Sequence, residues 1–380
     1  MRIAVVTPLF PISTEPYRGQ PIYLTVKALA AMAEVEAFYV APRYPSFLLP
    51  RSYQYKIADP TWQPGGVRTT YLTYPSVPVL GRITNPAAGC AAVLDRLRRF
   101  RPDVILSYWL YPEGLAAVMA GRKLGVPVIV GSRGSDLLRI ADGVTRRGTA
   151  RALRQAAAAI VVSGELRREA ISLGAPADRV HLVVNGCDRS VFHQGDRAAA
   201  RAALGVDPSA RLVLYVGHLL ASKGLTELAS AWSAVRAAVP HAALALIGEG
   251  AMRPTLAASP GINLLGPRPA REIAQWLAAC DVFTLPSHSE GCPNVVIEAL
   301  ACGRPVVGTT VGAIPDLLDE TSGLLVAPRD SEALQKALIR ALHSNWDPSA
   351  IAAAHARSWQ DAAAETLRVC EVVLPLPYRR

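Results

Sequence analysis

Short runs of aliphatic and β-branched residues recur along the chain, at 3–7, 35–40, 67–71, 104–107, 128–130, 160–162 and 181–184. Most positions in these runs are apolar or β-branched, as expected of parallel strands covered on both faces; a half-exposed strand would alternate. The segments between them have helical spacing. In residues 87–100, Val93, Leu97 and Phe100 fall at i, i+4 and i+7 while Arg96, Arg98 and Arg99 take the other face. After a polar stretch around 193–201 the alternation restarts, with apolar runs at 212–216, 244–247, 262–265, 282–285, 306–309 and 324–326. Two doubly wound α/β domains in series are predicted, residues 1–195 and 196–357. A last helix is predicted from the capping-box spacing of Ser358-Trp359-Gln360-Asp361, with apolar positions through Leu367, Cys370 and Val373 and stops at Pro375 and Pro377.

Composition narrows the class. The 380 residues are 51% apolar and 18% charged, which excludes a disordered chain and suits two domains of ordinary size. Six scattered cysteines, with no Cys-x-x-Cys pair and no histidine spacing beside them, suggest reduced thiols and no structural zinc. The apolar start is too short for a signal segment and no apolar run reaches about 18 residues, so a cytoplasmic protein is expected. The net charge of +10 is uneven. Residues 1–195 hold 24 Lys and Arg against 13 Asp and Glu, a balance of +11, while residues 196–380 hold 16 against 17, a balance of −1. An anionic partner of the first half is implied, such as a membrane surface, an acidic polymer or a pyrophosphate ligand.

In open α/β sheets ligands sit beyond the carboxyl ends of strands, so the loops after the apolar runs are where chemistry is sought. The densest is Ser287-His288-Ser289-Glu290-Gly291-Cys292-Pro293-Asn294-Val295-Val296-Ile297-Glu298, which follows a strand and opens a helix near Asn294 that ends at Gly303. Glu290 then lies in the loop and Glu298 one turn inside the helix, beside N–H groups that can take phosphate oxygens. Taken alone, both acids are equally well read as ordinary helix-start carboxylates favoured by the dipole. A second signal is Gly217-His218-Leu219-Leu220-Ala221-Ser222-Lys223-Gly224, which puts a lysine on a strand-to-helix loop where it can meet a diphosphate.

Strand-Gly-x(5)-Lys-Gly, then Glu-Gly-x-Pro-Asn-x(3)-Glu-Ala-x-Ala-x-Gly-x-Pro-Val-Val, then Val311-Gly312-Ala313-Ile314-Pro315-Asp316 resembles the retaining glycosyltransferase family 4. The Asn185–Phe192 stretch and the Tyr108-Trp109-Leu110-Tyr111-Pro112-Glu113-Gly114 loop are similar to that family too, and the resemblance runs from residue 1 to about 372. It implies the GT-B architecture, two Rossmann-like domains facing a cleft, with the C-terminal helix crossing back to the first domain. It implies a nucleoside diphosphate sugar held by the second domain and a hydroxyl acceptor by the first, with retention of anomeric configuration and no metal or cofactor. Carried over by position, Glu290 contacts the donor sugar and Glu298 the ribose. Lys223 stabilises the leaving diphosphate with His218 and the N–H groups of Asn294 and Val295, which follow Pro293. Gly19 lets backbone approach the pyrophosphate. Catalysis is then electrostatic, carried by Lys223, Glu290 and Arg133. Trp109, Glu113, Arg133 and Asp136 fall on the acceptor side.

Three departures from the family pattern stand out. His218 replaces a frequent Arg, so half of the diphosphate clamp carries a conditional charge. Arg133 replaces a frequent His and cannot act as a base; the acceptor proton must leave otherwise, to the departing phosphate oxygen, and Arg133 either holds an anion or pairs with Asp136. Ala313 and Asp316 replace Gly and Glu near the sugar pocket, and Cys292, where an aromatic is common, is read as a small pocket-wall residue. The rivals are weaker. Ile247-Gly248-Glu249-Gly250 starts a dinucleotide fingerprint, but its third glycine position falls on Arg253. A sugar-nucleotide epimerase, a phosphorylase or a non-catalytic sugar-nucleotide-binding subunit would use the same fold. Nucleic acid is disfavoured because the arginines lack interleaved aromatics. A lipid-linked acceptor in a bacterial envelope or exopolysaccharide pathway is expected instead, with the protein peripheral at an anionic membrane. The Arg face of 87–100 and the loop Ser46-Phe47-Leu48-Leu49-Pro50, between Arg43 and Arg51, would rest on the bilayer.

Overall fold

In the computed structural model, which describes residues 1–45 and 58–374, the chain divides into two compact units. One is Met1–Val184 joined by the tail from Trp359, and the other is Asn185–Ser358. Asn185 belongs with the second unit through its hydrogen bonds: its carbonyl accepts from Arg357 Nε at 3.1 Å and its amide donates to Asn294 Oδ1 at 2.8 Å. Part of the polar stretch is a helix, Arg197–Leu204, whose first N–H groups are capped by Asp196. The loop 46–50 and Arg51, assigned above to a membrane surface, lie outside the described residues.

All thirteen predicted strands are present. The first unit holds β1 (Arg2–Thr7), β2 (Glu34–Arg43), β3 (Arg68–Pro75), β4 (Val104–Tyr108), β5 (Val128–Ser132), β6 (Ala158–Val161) and β7 (Val180–Leu182). They form one parallel sheet in the order β3-β2-β1-β4-β5-β6-β7. The second unit holds β8 (Arg211–Val216), β9 (Ala242–Ile247), β10 (Ile262–Gly266), β11 (Val282–Leu285), β12 (Val306–Thr309) and β13 (Gly323–Val326), ordered β10-β9-β8-β11-β12-β13 and again parallel. The central strands are buried from end to end, which is why their sequences are mostly apolar, and the buried hydroxyls they do contain, Ser107, Ser132, Thr284 and Thr309, all donate hydrogen bonds. Each unit is a Rossmann-like doubly wound sheet, the domain type that the resemblance implies.

The helix predicted for 87–100 starts earlier, at Gly81, and carries Pro86 in its interior. Proline has no N–H for the carbonyl four residues back. Here that carbonyl belongs to Arg82, and it accepts the Tyr111 hydroxyl instead. Val93, Leu97 and Phe100 are buried as predicted, while Arg96, Arg98 and Arg99 are exposed and Arg98 pairs with Asp95 at 3.0 Å. Among the described residues no helix is long and apolar enough to cross a membrane.

The tail helix Trp359–Val372 packs on the helix Gln20–Leu29 of the first unit, so the chain does return to the domain in which it began. Trp359, Ala362, Ala363, Val369 and Cys370 join the same apolar core as Ile3, Val5 and Leu29. Trp359 is only 6% exposed. Trp359→Ala is therefore expected to destabilise the first unit by about 3–5 kcal/mol, the usual cost of deleting a large buried aromatic side chain. Denaturant unfolding followed in the first unit checks this, and an unchanged midpoint would detach the tail from that core.

Candidate active site

In the second unit β8 and β11 are neighbours at the point where strand order reverses, and the loops that follow them carry the predicted donor residues. Lys223 ends a short 3-10 turn after β8, and its Nζ donates to Glu290 Oε1 at 2.6 Å. Ser287 Oγ donates to the same oxygen at 2.7 Å. The two loops are tied backbone to backbone, His288 N–H donating to Ser222 O at 3.0 Å. Gly224 makes that approach possible: its φ is +71°, and a Cβ there would lie 1.8 Å from the Pro286 carbonyl oxygen. Behind it, His288 Nε2 lies 3.1 Å from Glu227 Oε1. His218 is exposed beside this cluster, its carbonyl accepting the Tyr215 hydroxyl at 2.8 Å.

Glu290 precedes the helix Asn294–Ala301, whose N-cap position is Pro293. Pro293 offers no capping oxygen, so the first-turn N–H groups that include Asn294 and Val295 have no side-chain cap there. Asn185 braces this turn, donating to Asn294 Oδ1 and, at 3.3 Å, to the Cys292 carbonyl. Ala313 N–H donates to Gly291 O at 2.9 Å and closes the other side. Glu298 is half-buried one turn into the helix, and desolvation pushes its carboxyl up to about 7.

In the first unit the residues predicted for the acceptor side follow β4 and β5, next to the point where β1 and β4 adjoin and strand order reverses. Gly19 has a φ of +60°, and a Cβ there would lie 2.4 Å from the Leu9 carbonyl oxygen, so its own loop demands glycine. Arg133 follows β5; its Nη2 donates to Thr25 Oγ1 at 3.0 Å and its guanidinium lies 4.8 Å from the centre of the Tyr108 ring. Asp136 accepts from Ser132 Oγ at 2.7 Å and from Leu110 N–H at 3.0 Å. Burial still raises its pKa, with those hydrogen bonds opposing. Trp109, Glu113 and Asp136 all line one cavity. Glu113 is 4% exposed, and desolvation pushes it up to about 8 against the smaller opposing effect of hydrogen bonds from its own N–H and Tyr74.

Three contributors were not singled out as site residues from sequence: Ser287, Asn185 and Tyr74. Ser287 stands three residues before Glu290 and Asn185 opens a stretch that resembles the family, so both carried a local signal. Tyr74 reaches Glu113 from 39 positions away and carried none.

The profile of the glycosyl transferases group 1 matches residues 210–344, and that of the glycosyl transferase 4-like domain matches residues 21–186. TuaC of Bacillus subtilis (strain 168), described as a teichuronic acid biosynthesis glycosyltransferase, is 29% identical over 360 residues, or 92% of this chain and 91% of its own. A D-inositol 3-phosphate glycosyltransferase of Frankia alni is 33% identical in an alignment 324 residues long that covers 74% of this chain and 79% of its own. Among solved structures, the lipopolysaccharide outer core galactosyltransferase WaaB superposes with a TM-score of 0.75 at 16% identity, over 98% of this chain and 100% of its own. HepE of Anabaena, solved with UDP and glucose, superposes with a TM-score of 0.63 at 18% identity, over 100% of this chain and 97% of its own.

Glu113 makes pH a test of its burial. From the ordinary 4.5 to about 8 the folded chain keeps a proton that the unfolded chain releases, so rising pH across that window lowers stability. Glu113→Gln removes the effect. Thermal melts from pH 5 to 8 should show wild type losing stability relative to Glu113→Gln as pH rises. A constant difference would mean that Glu113 titrates normally.

Proposed function

We propose, from the premise that this chain belongs to the glycosyl transferases group 1 and is a GT-B enzyme, that it moves a hexose unit from a nucleoside diphosphate sugar to a hydroxyl acceptor with retention at the anomeric carbon. What supports this reading is one cluster: Lys223 and Glu290 joined at 2.6 Å, beside the start of the helix Asn294–Ala301, at the reversal point of the second sheet. A diphosphate needs a cation and backbone N–H groups, and a sugar needs a carboxylate that accepts hydroxyl hydrogens. This cluster offers all three within one pair of loops.

The ion pair holds Lys223 and Glu290 ready for exchange. A bound donor takes Lys223 onto its phosphate oxygens and leaves Glu290 to the sugar hydroxyls, with Ser287 keeping the carboxylate oriented. The ribose hydroxyls fall to Glu298, which burial has brought to a pKa of about 7, so they meet an acid close to its titration point. The bond between the anomeric carbon and the diphosphate oxygen then breaks and its electron pair goes to the phosphate. Lys223, His218 and the N–H groups of Asn294 and Val295 face that growing charge without reorganising. The acceptor oxygen bonds to the anomeric carbon and its proton passes to the departing phosphate oxygen. Arg133 takes no proton in this scheme and serves the acceptor side by charge and position.

HepE has been solved with UDP and glucose, which makes UDP-glucose the first donor to test, with GDP- and ADP-glucose beside it. Bound donor raises the melting temperature of the native state. Lys223→Ala is expected to cut sugar transfer by roughly 10²–10³-fold, the range for removing one pre-aimed group that faces developing charge. Glu290→Ala should abolish the difference in melting temperature between UDP-glucose and UDP while leaving the response to UDP. Full transfer by Lys223→Ala would overturn the assignment.

The acceptor assigned to the first unit is lipid-linked, in an envelope or exopolysaccharide pathway, and the exposed Arg96, Arg98 and Arg99 face the anionic leaflet that carries it. Co-sedimentation with liposomes should recover more protein on anionic than on neutral lipid. An Arg96→Glu and Arg99→Glu double variant should lose the difference, and equal recovery of wild type from both would remove the membrane contact.

A further inference from the structure

The first unit contains a cavity of about 500 Å³ at the carboxyl ends of β1 and β4, within the roughly 300–1,000 Å³ of small-molecule sites. Its lining changes character with depth. Glu113 is buried there, with Tyr74 bonded to its carboxyl and Oε2 without any hydrogen-bond partner. Buried polar atoms are nearly always paired, so an orphan oxygen on a cavity wall marks a place for a ligand group. Trp109 forms one wall in a conformation that L residues rarely adopt, φ +93°, held by its N–H on Gly131 O and its carbonyl on Gly114 N–H. Arg139 also lines the cavity, as does Arg82, which is paired with Asp142 at 3.3 Å.

The lip is apolar and open to solvent. Val77 and Val79 line the cavity, and the chain continues into Leu80 and Ile83; Val79, Leu80 and Ile83 are 77%, 62% and 67% exposed. Val79 has a φ of +66°, unusual for a β-branched residue, and so stands outward at a conformational cost. Four exposed aliphatic residues continuous with a polar pocket match a ligand that has a hydroxylated head and an apolar tail.

We infer that this cavity binds the acceptor as a glycoside with an apolar aglycone, its sugar in the pocket with one hydroxyl on Glu113 and its aglycone across Val77, Val79, Leu80 and Ile83. This deepens the transferase reading and rests on the first unit being the acceptor domain. A carboxylic acid that keeps its proton both donates to and accepts from a hydroxyl, which an ionised carboxylate cannot do. The Trp109 ring supplies the flat apolar face that a pyranose covers.

Titration calorimetry of the full chain with octyl and methyl β-D-glucoside, and with the matching galactosides, all below the micellar range, tests the assignment. At least one octyl glycoside should bind about tenfold more tightly than its methyl counterpart. Glu113→Ala should weaken both members of that pair tenfold or more, while Glu113→Gln, neutral and of the same shape, retains most of the affinity. Leu80→Ser with Ile83→Ser should reduce the octyl glycoside to the methyl level and leave the methyl glycoside unchanged. Equal affinity for octyl and methyl glycosides, no binding of either, or indifference to Glu113→Ala would overturn the proposal. UDP release from UDP-glucose in the same samples keeps the two readings apart: release without glycoside binding removes this pocket and spares the transferase, and glycoside binding without release does the reverse.

Discussion

Strands β8 and β11 lie side by side, yet their crossovers run to opposite edges of the sheet, β8 to β9 and β11 to β12. Right-handed crossovers put the two following helices on opposite faces, so the loops between strand and helix must part at this point. The cluster of Lys223 and Glu290 depends on that parting. The Lys223 loop and the Glu290 loop come together in the opening, bonded at Ser222 and His288 and closed to side chains at Gly224. The same reversal recurs between β1 and β4 of the first unit, and the Glu113 cavity sits there. In the first unit the topology makes the concavity, and the loop residues only give it chemistry.

The strands were legible because parallel strands buried on both faces are dominated by apolar and β-branched residues, the few buried hydroxyls such as Ser107 and Thr284 being bonded to backbone carbonyls. The start of the helix Gly81–Phe100 was not, because Pro86 reads locally as a breaker. What rescues the helix is a hydroxyl 29 positions away, Tyr111, which takes the carbonyl that the proline leaves unpaired. Lys223 and Glu290 were each suggested by their loops, but their mutual bond spans 67 positions and no local pattern encodes it. The choice left open for Arg133 was also tertiary. Asp136 is occupied by Ser132 and the Leu110 N–H, while Arg133 reaches Thr25 and the Tyr108 ring, neither of which is near it in sequence.

Net charge acquires a physical meaning only when these pairings are known. The second half is nearly neutral, and the lysine of its loop cluster, Lys223, is already matched by Glu290. Such a pair carries little long-range field. The first half keeps an excess of positive charge in exposed arginines such as Arg96 and Arg99, where field lines reach into solvent.

Three carboxyls differ according to surroundings alone. Glu290 has Lys223 and Ser287 on one oxygen. Glu298, half-buried with desolvation dominant, is pushed up to about 7, and Glu113, almost fully enclosed, to about 8. Leaving the Glu113 oxygen unpaired costs about 1–3 kcal/mol, and an apolar residue of similar volume would fill the space without that cost. A sequence selected for stability alone would not keep an acid at position 113. Its loss of stability is confined to a cavity wall beside a tryptophan in a rare conformation and a valine turned out to solvent, and such local conflicts gather where a fold is built to receive a ligand.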